Sequence, residues 1–183
     1  MRFDRSLPVL GALTLSLAFT LSACAPMASS PPVAQLKDGE MALPADYKGW
    51  PKFLSAVQLP DAKQVREIYM STTVKAGTAA NGRLSGTMFV MKNYAAANAD
   101  GTLKQGADGN LLEGDLRRVF RMGKNEGWGQ SAHDGLKNGY WICTAYPGSG
   151  KKAADPTVAC RACHLPLVNK DVVHRYDEHF SQK

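Results

Sequence analysis

Cys160-Arg161-Ala162-Cys163-His164 is the stretch from which the rest of this 183-residue sequence is interpreted. Two thiols three positions apart, with a histidine directly after them, form the spacing at which a c-type haem is attached. The spacing has a geometric reason, because the thiols bond to one edge of the porphyrin and the adjacent imidazole reaches the iron as its proximal ligand. The sequence therefore predicts one covalent haem c, held by Cys160 and Cys163 and ligated by His164. We call residues 160–164 the haem box.

Three other interpretations of the haem box need features that the sequence lacks. A thioredoxin-like dithiol would stand in a βαβ context, and the surrounding pattern shows none. A zinc site would need a second ligand pair at finger-like spacing, which Cys143 and the scattered histidines (His133, His174 and His179) do not supply. A structural disulfide gives His164 no role. Haem attachment is the interpretation that uses both thiols and the imidazole.

The first 23 residues predict an export signal of the lipoprotein type. Two arginines precede an almost uncharged run, which is the order found in secretory signals, and the run is too short for a transmembrane helix. It ends at 21–24 (Leu-Ser-Ala-Cys), which resembles a bacterial lipoprotein box. Ordinary cleavage after Ala25 is the alternative, since Ala-Cys-Ala also fits an A-x-A site. We expect an exported protein on the periplasmic side, anchored to a membrane by lipid on Cys24.

Composition predicts a single domain behind a tether. Residues 24–42 are poor in large apolar groups and predict a flexible tether, so the haem domain is expected at 43–183. The formal net charge is +6, but no dense cluster of lysine and arginine argues for nucleic acid as a partner.

Four runs bounded by glycine, asparagine, aspartate or proline predict β-strands: 65–71, 84–94, 116–124 and 140–146. Apolar spacing over 45–57 predicts a short helix that Pro51 disturbs. Strands linked by turns, without long helices between them, favour antiparallel pairing. The fold class predicted is α+β dominated by β structure: an antiparallel sheet with a few short helices and the haem box near the C-terminus.

Several short motifs, in their order along the chain, resemble the cytochrome P-460 family, which includes the relative cytochrome c-prime-beta. They are LPADYKGW at 43–50, REIY at 66–69, GTMFVMK at 86–92, MGKN at 122–125, GWG at 127–129 and KDVV at 170–173. The resemblance implies a mostly antiparallel, often dimeric β fold holding one five-coordinate haem with an open distal side. In the family's enzymes a lysine is also bonded to the porphyrin and the reaction is hydroxylamine oxidation. In the c-prime-beta relatives that bond is absent and the haem binds nitric oxide.

The chain departs from the enzyme pattern at the bonded lysine. That lysine stands five positions after the strand's glycine, where this chain has Met91, and Lys92 is one position late. On a regular strand a one-residue slip points the side chain to the other face, whereas a β-bulge would re-aim it. Lys92 is therefore a haem cross-link candidate only through a bulge, and we expect no lysine–porphyrin bond.

Two further residues are distal-side candidates by the resemblance. Phe120 stands where the enzymes place a carboxylate, and it cannot perform general acid–base catalysis, so an apolar lining that favours gas binding is expected there. Arg66 is retained, and its guanidinium would hydrogen-bond a polar ligand on the iron; the alternative is a surface arginine. Cys143 alternates with apolar strand neighbours and is expected to be a buried, inert thiol.

Three classes of function remain open. The first is an oxidoreductase that oxidises hydroxylamine or turns over nitric oxide, with a redox partner protein. The second is a nitric oxide-binding protein without turnover. The third is an electron carrier, which would need a sixth protein ligand; no methionine follows His164, so the candidates are Met88, Met91, Met122 and His133.

The lipoprotein interpretation predicts the behaviour of a Cys24→Ser variant. Two acyl chains anchor a protein stably where one chain is marginal, so the variant should become soluble or remain unprocessed in a membrane fractionation. Normal processing with unchanged membrane retention would contradict lipidation of Cys24.

Overall fold

The computed structural model describes residues 35–71, 82–83, 85–148 and 158–175. One five-stranded antiparallel sheet runs in chain order, with strands β1 (Lys52–Leu59), β2 (Gln64–Met70), β3 (Met88–Ala95), β4 (Leu116–Lys124) and β5 (Trp141–Pro147). One α-helix, α1 (Val158–His164), and 3-10 turns at Tyr47–Gly49, Asp134–Leu136 and Leu165–Lys170 complete the elements. The predicted fold class is confirmed. The predicted signal segment, Cys24 and His179 lie outside the described residues.

The four predicted strands are found as β2 to β5, but the helix predicted over 45–57 is wrong. A single 3-10 turn at Tyr47–Gly49 is followed by β1. The pairing of β1 with β2 shifts register twice, and Ala56 has a positive φ. These irregularities break the strict alternation of a strand, so the apolar side chains of β1 recur at a spacing that imitates a helix.

The register of the sheet sorts its side chains onto two faces. Residues paired across antiparallel strands lie on the same face, and neighbours along a strand lie on opposite faces. We define the front face by the row Ile68, Met91, Phe120 and Ala145. We define the back face by the row Tyr69, Val90, Arg121 and Thr144.

Each face is covered by a different end of the described chain. On the back face, buried Tyr69, Val90, Val119 and Tyr146 pack with Tyr47, and Leu43 and Trp50 lie against that cluster. On the front face, Phe89 and Trp141 pack with Val172 and Val173, beyond the haem box. The C-terminal segment therefore lies on the front face.

Residues 35–42 belong to the packed domain, although the sequence predicts them as part of the tether. Met41 is 1% exposed and packs with Trp128 and Ile142. The amide of Gly39 donates to the carbonyl of Cys143 at 2.8 Å, and the amide of Cys143 donates to Asp38 Oδ1 at 2.9 Å. The predicted boundary at residue 43 is too late, because this segment is held by main-chain bonds and one methionine that composition does not flag. Among the described residues, no helix is long and apolar enough to cross a membrane.

Candidate haem site

Arg161, inside the haem box, fixes helix α1 to the sheet. Its side chain is only 2% exposed, and its guanidinium forms an ion pair with Asp38 through both Nε and Nη2. It also donates to Asn138 Oδ1 at 2.6 Å, to the Leu136 carbonyl at 3.2 Å and to the Trp141 carbonyl at 3.1 Å. A buried charge is tolerated when it is paired and its donors are used. The haem box is therefore held beside the start of β5.

The two thiols of the haem box lie where a ligand can reach them. Cys160 is half-buried, Cys163 is exposed, and neither forms a disulfide bond. Their three-residue separation on α1 places them on one side of the helix. Cys143 on β5 is buried, as predicted. Its thiol pKa is raised, mainly by a hydrogen bond with Cys160 and also by burial. A thiol with a raised pKa is a poor nucleophile, which agrees with an inert Cys143.

The hydrogen bonding of His164 leaves its Nε2 nitrogen available to bind a metal. Its Nδ1 lies 2.6 Å from the carbonyl oxygen of Val172. A carbonyl oxygen can only accept a hydrogen bond, so Nδ1 carries the proton and Nε2 keeps its lone pair. Metal-binding histidines characteristically donate from their second nitrogen in this way. The ring of His174 packs edge-to-face against His164, with centroids 4.8 Å apart.

The front face supplies an apolar row beside the haem box. Ile68, Met91 and Phe120 are half-buried neighbours across three strands, and Arg66 and Asn93 form the next pair along that face. Arg66 Nε and Asn93 Oδ1 are buried and have no hydrogen-bond partner within the described chain. A porphyrin combines a wide apolar surface with polar substituents, so this face, the two thiols and the imidazole together fit a haem.

Arg66 lies on the haem-box side of the sheet. Burial lowers the pKa of its guanidinium, and the nearby Cys163 acts in the opposite direction. The pKa of His174 is lowered, mainly by partial burial and to a smaller extent by electrostatic interactions with His164 and Arg66. Within the described residues, the guanidinium forms one long hydrogen bond, from Nη2 to Gln64 Oε1 at 3.4 Å. Arg66 is thus half-buried and not fully exposed to solvent, and its role on the distal side stays a prediction.

Lys92 lies on the back face, opposite Met91 and Phe120. It pairs with Glu67 on β2 and with Val119 on β4, and the register through these positions is unbroken. The register shift of the β3–β4 pairing lies beyond this position, between Asn93 and Tyr94, so no bulge turns Lys92 to the front face. The absence of a lysine–porphyrin bond stays a prediction. The Lys92 ammonium lies 4.8 Å from the centre of the Tyr94 ring. Burial acts to lower the pKa of Lys92, but a hydrogen bond with Tyr94 and electrostatic interactions with Tyr94, Tyr69 and Tyr47 together outweigh it, so the pKa is raised.

The four candidate sixth ligands are divided by the fold. Met91 and Met122 lie on the front face, in adjacent rows. Met88 lies on the back face against the Met41 and Trp128 cluster. His133 is exposed, and its Nδ1 accepts from the Gly135 amide at 3.3 Å. Of these four candidates, only Met91 and Met122 share a face with the haem box.

The fold and the site together define a haem-binding domain built on one face of an antiparallel sheet. The family model for Cytochrome P460 matches residues 44–175, so the chain belongs to the cytochrome P460 family. No curated protein matches the chain. Membership of this family supports a haem protein, which agrees with the donor set of the site.

Sequence reasoning missed the residues that hold the haem box in place. Asp38 stands in the predicted tether, and Arg161 occupies a position within the box that the attachment chemistry does not specify. Asn93 has no motif of its own. Asp171 falls in the KDVV motif, which carried the resemblance but no role. Contacts between segments more than 100 positions apart, such as that of Arg161 with Asp38, leave no signal in local spacing.

Covalent attachment through Cys160 and Cys163 predicts that acid-acetone extraction leaves the haem on the chain. Freely extractable haem would contradict it. His164→Ala should change the iron spectrum strongly, because the iron loses its proximal ligand. His133→Ala is the matched control, since His133 is exposed and its Nδ1 accepts from the Gly135 amide, and it should leave the spectrum unchanged.

The back-face position of Lys92 predicts that no bond joins it to the porphyrin. Tryptic digestion of the haem-loaded protein, followed by mass spectrometry, should give the Lys92 peptide without haem. A fragment in which haem links Lys92 to the peptide of the haem box would show the prediction to be wrong.

Proposed function

We propose that this protein is an exported mono-haem c-type cytochrome with an open distal side that acts on small nitrogen species. The activity proposed is hydroxylamine oxidation or nitric oxide turnover, with electrons passed to a separate redox protein. The observation that carries the proposal is the front face, where a half-buried apolar row ends at a half-buried arginine whose Nε has no partner within the described chain. Anchoring to a membrane through lipid on Cys24 and a homodimeric assembly are part of the same proposal.

When bound, the haem supplies an iron atom at which a small nitrogen species is held and electrons are exchanged. The chain's own residues would control access to that atom. Ile68, Met91 and Phe120 exclude water, which favours small neutral ligands and strengthens nearby electrostatic interactions. On the other side, the hydrogen bond from His164 Nδ1 to the Val172 carbonyl keeps Nε2 available as proximal ligand.

Arg66 is the residue proposed to favour nitrogen–oxygen ligands. Its guanidinium cannot be deprotonated at neutral pH, and an unused buried donor is costly unless a ligand accepts from it. A bound group with partial negative charge on oxygen would satisfy that donor. The charge of Arg66 would therefore stabilise such a ligand more than it stabilises a purely apolar one.

A second candidate, nitric oxide binding without turnover, is favoured by Phe120. Proton transfer to or from a substrate needs a titratable group within hydrogen-bond reach. Phe120 is half-buried on the front face between Met91 and Ala145, so this position offers none. A hydroxylamine oxidase would have to release substrate protons to water or to another group.

Replacing Arg66 tests the proposal. Arg66→Leu removes the charge without adding a sulfur ligand, and loss of one charged hydrogen bond should weaken nitric oxide binding to the ferrous protein by about tenfold. The same preparation should be assayed for hydroxylamine-dependent reduction of an electron acceptor.

Arg121→Leu is the matched control. Arg121 is also a half-buried strand arginine whose pKa is lowered by burial, but it lies on the back face and donates to the Ala42 carbonyl. It should keep parental binding. Equal effects of the two variants would contradict a role for Arg66. Nitric oxide binding without hydroxylamine turnover would select the second candidate. A protein that binds neither nitric oxide nor hydroxylamine would overturn the proposal.

A further inference from the structure

Asp171 is the acceptor at the centre of a hydrogen-bond cluster just beyond the haem box. Its carboxylate accepts from the Arg83 amide at 2.6 Å and from Trp141 Nε1 at 3.0 Å. Lys124 Nζ lies 2.8 Å from Oδ1 and 3.0 Å from Oδ2. These donors come from the segment before β3, from β5 and from β4. Gly82 must be glycine for this approach, because its φ is +70° and a Cβ there would lie 3.0 Å from Asp171 Oδ2.

The backbone at this point adopts a conformation that its residues disfavour. Asp171 has φ 50° and ψ 37°, and Val172 has φ 53°. A β-branched residue at positive φ is rare, because the conformation is strained and persists only where the surrounding structure fixes it. Here the surroundings are the four contacts of the carboxylate, a hydrogen bond from the Val172 amide to the Leu167 carbonyl at 2.9 Å, and a Val172 side chain that is 1% exposed.

The consequence of this backbone conformation appears at His164. The left-handed turn presents the Val172 carbonyl to His164 Nδ1 at 2.6 Å. That contact places the proton on Nδ1 and fixes the ring, which leaves Nε2 for iron. Without the turn, the carbonyl would lose its fixed direction, while the covalent position of His164 in the haem box would not change.

We infer that Asp171 is a positioning residue for the proximal histidine, acting through the Asp171–Val172 turn to fix the direction and the basicity of the His164 imidazole. The inference rests on iron ligation by His164 and not on the substrate proposed above. A strong acceptor on Nδ1 makes the imidazole a better electron donor to iron. Asp171 therefore strengthens the iron–histidine bond and stabilises the ferric form relative to the ferrous form.

Asp171→Asn is the informative variant. Asparagine tolerates the left-handed conformation well, so the substitution removes the charge and the acceptor at one atom without adding backbone strain. Resonance Raman of the ferrous protein should show the iron–histidine stretch moved to lower frequency, and redox titration should give a more positive reduction potential. Haem content and circular dichroism should stay at parental values.

Asp38→Asn is the matched control. The Asp38 side chain is 16% exposed and that of Asp171 is 17% exposed, and Asp38 also holds the C-terminal segment, through Arg161. It has no contact with the Asp171–Val172 turn among the hydrogen bonds of the described residues. Asp38→Asn should lower haem loading or stability but leave the stretch and the potential of the loaded fraction unchanged.

Trp141→Phe covers the case in which Asp171→Asn yields no haem-loaded protein. It removes a single donor to Asp171 Oδ1 and keeps the aromatic packing, so a smaller shift in the same direction is expected. A parental stretch and potential in Asp171→Asn, or in Trp141→Phe if that is the variant obtained, would overturn the inference. An equal shift in Asp38→Asn would show that loosening of the haem box, and not the turn, is responsible.

Discussion

The ion pair between buried Arg161 and partly buried Asp38 is the contact on which the arrangement of the site depends. It joins the haem box to a segment more than 100 positions earlier in the chain and brings both against β5. A buried pair of this kind contributes little net stability compared with apolar packing, but removing one partner leaves an unpaired buried charge and is strongly destabilising. The pair therefore fixes the position of α1, because few other placements of the helix would give the buried guanidinium its hydrogen-bond acceptors.

Because α1 lies on the front face, the face of the sheet to which each strand side chain points decides whether it lies on the side of the haem box. Met91 and Lys92 are neighbours in sequence, yet one faces the haem box and the other lies beside Tyr94 on the back face. The same rule separates Arg66 from Glu67 and Phe120 from Arg121. The front face between β2 and β4 thus combines apolar groups with positive charge, and no front-face residue of these three strands carries a carboxylate.

Much of this could be predicted from the sequence, because the informative signals were local. The alternating strands and the one-residue offset of Lys92 depend on short-range periodicity, and the sheet and its register agree with them. Haem attachment was predicted from the spacing of the haem box, and it stays a prediction. Prediction failed at β1, where register shifts imitate a helical period, and at 35–42, where polar residues pack by main-chain bonds. The roles of Arg161 and Asp171 depend on partners far away in sequence, and the residues next to them form no pattern from which those partners could be predicted.

Under the proposed function the sixth coordination position of the iron would be open, and the optical spectrum of the purified ferrous protein tests this most directly. Met91 and Met122 share that face with the haem box, so the alternative of a methionine-ligated electron carrier makes a definite contrary prediction. An open site gives a five-coordinate, high-spin ferrous spectrum that changes on addition of nitric oxide. A six-coordinate, low-spin ferrous spectrum that nitric oxide does not alter would contradict the account.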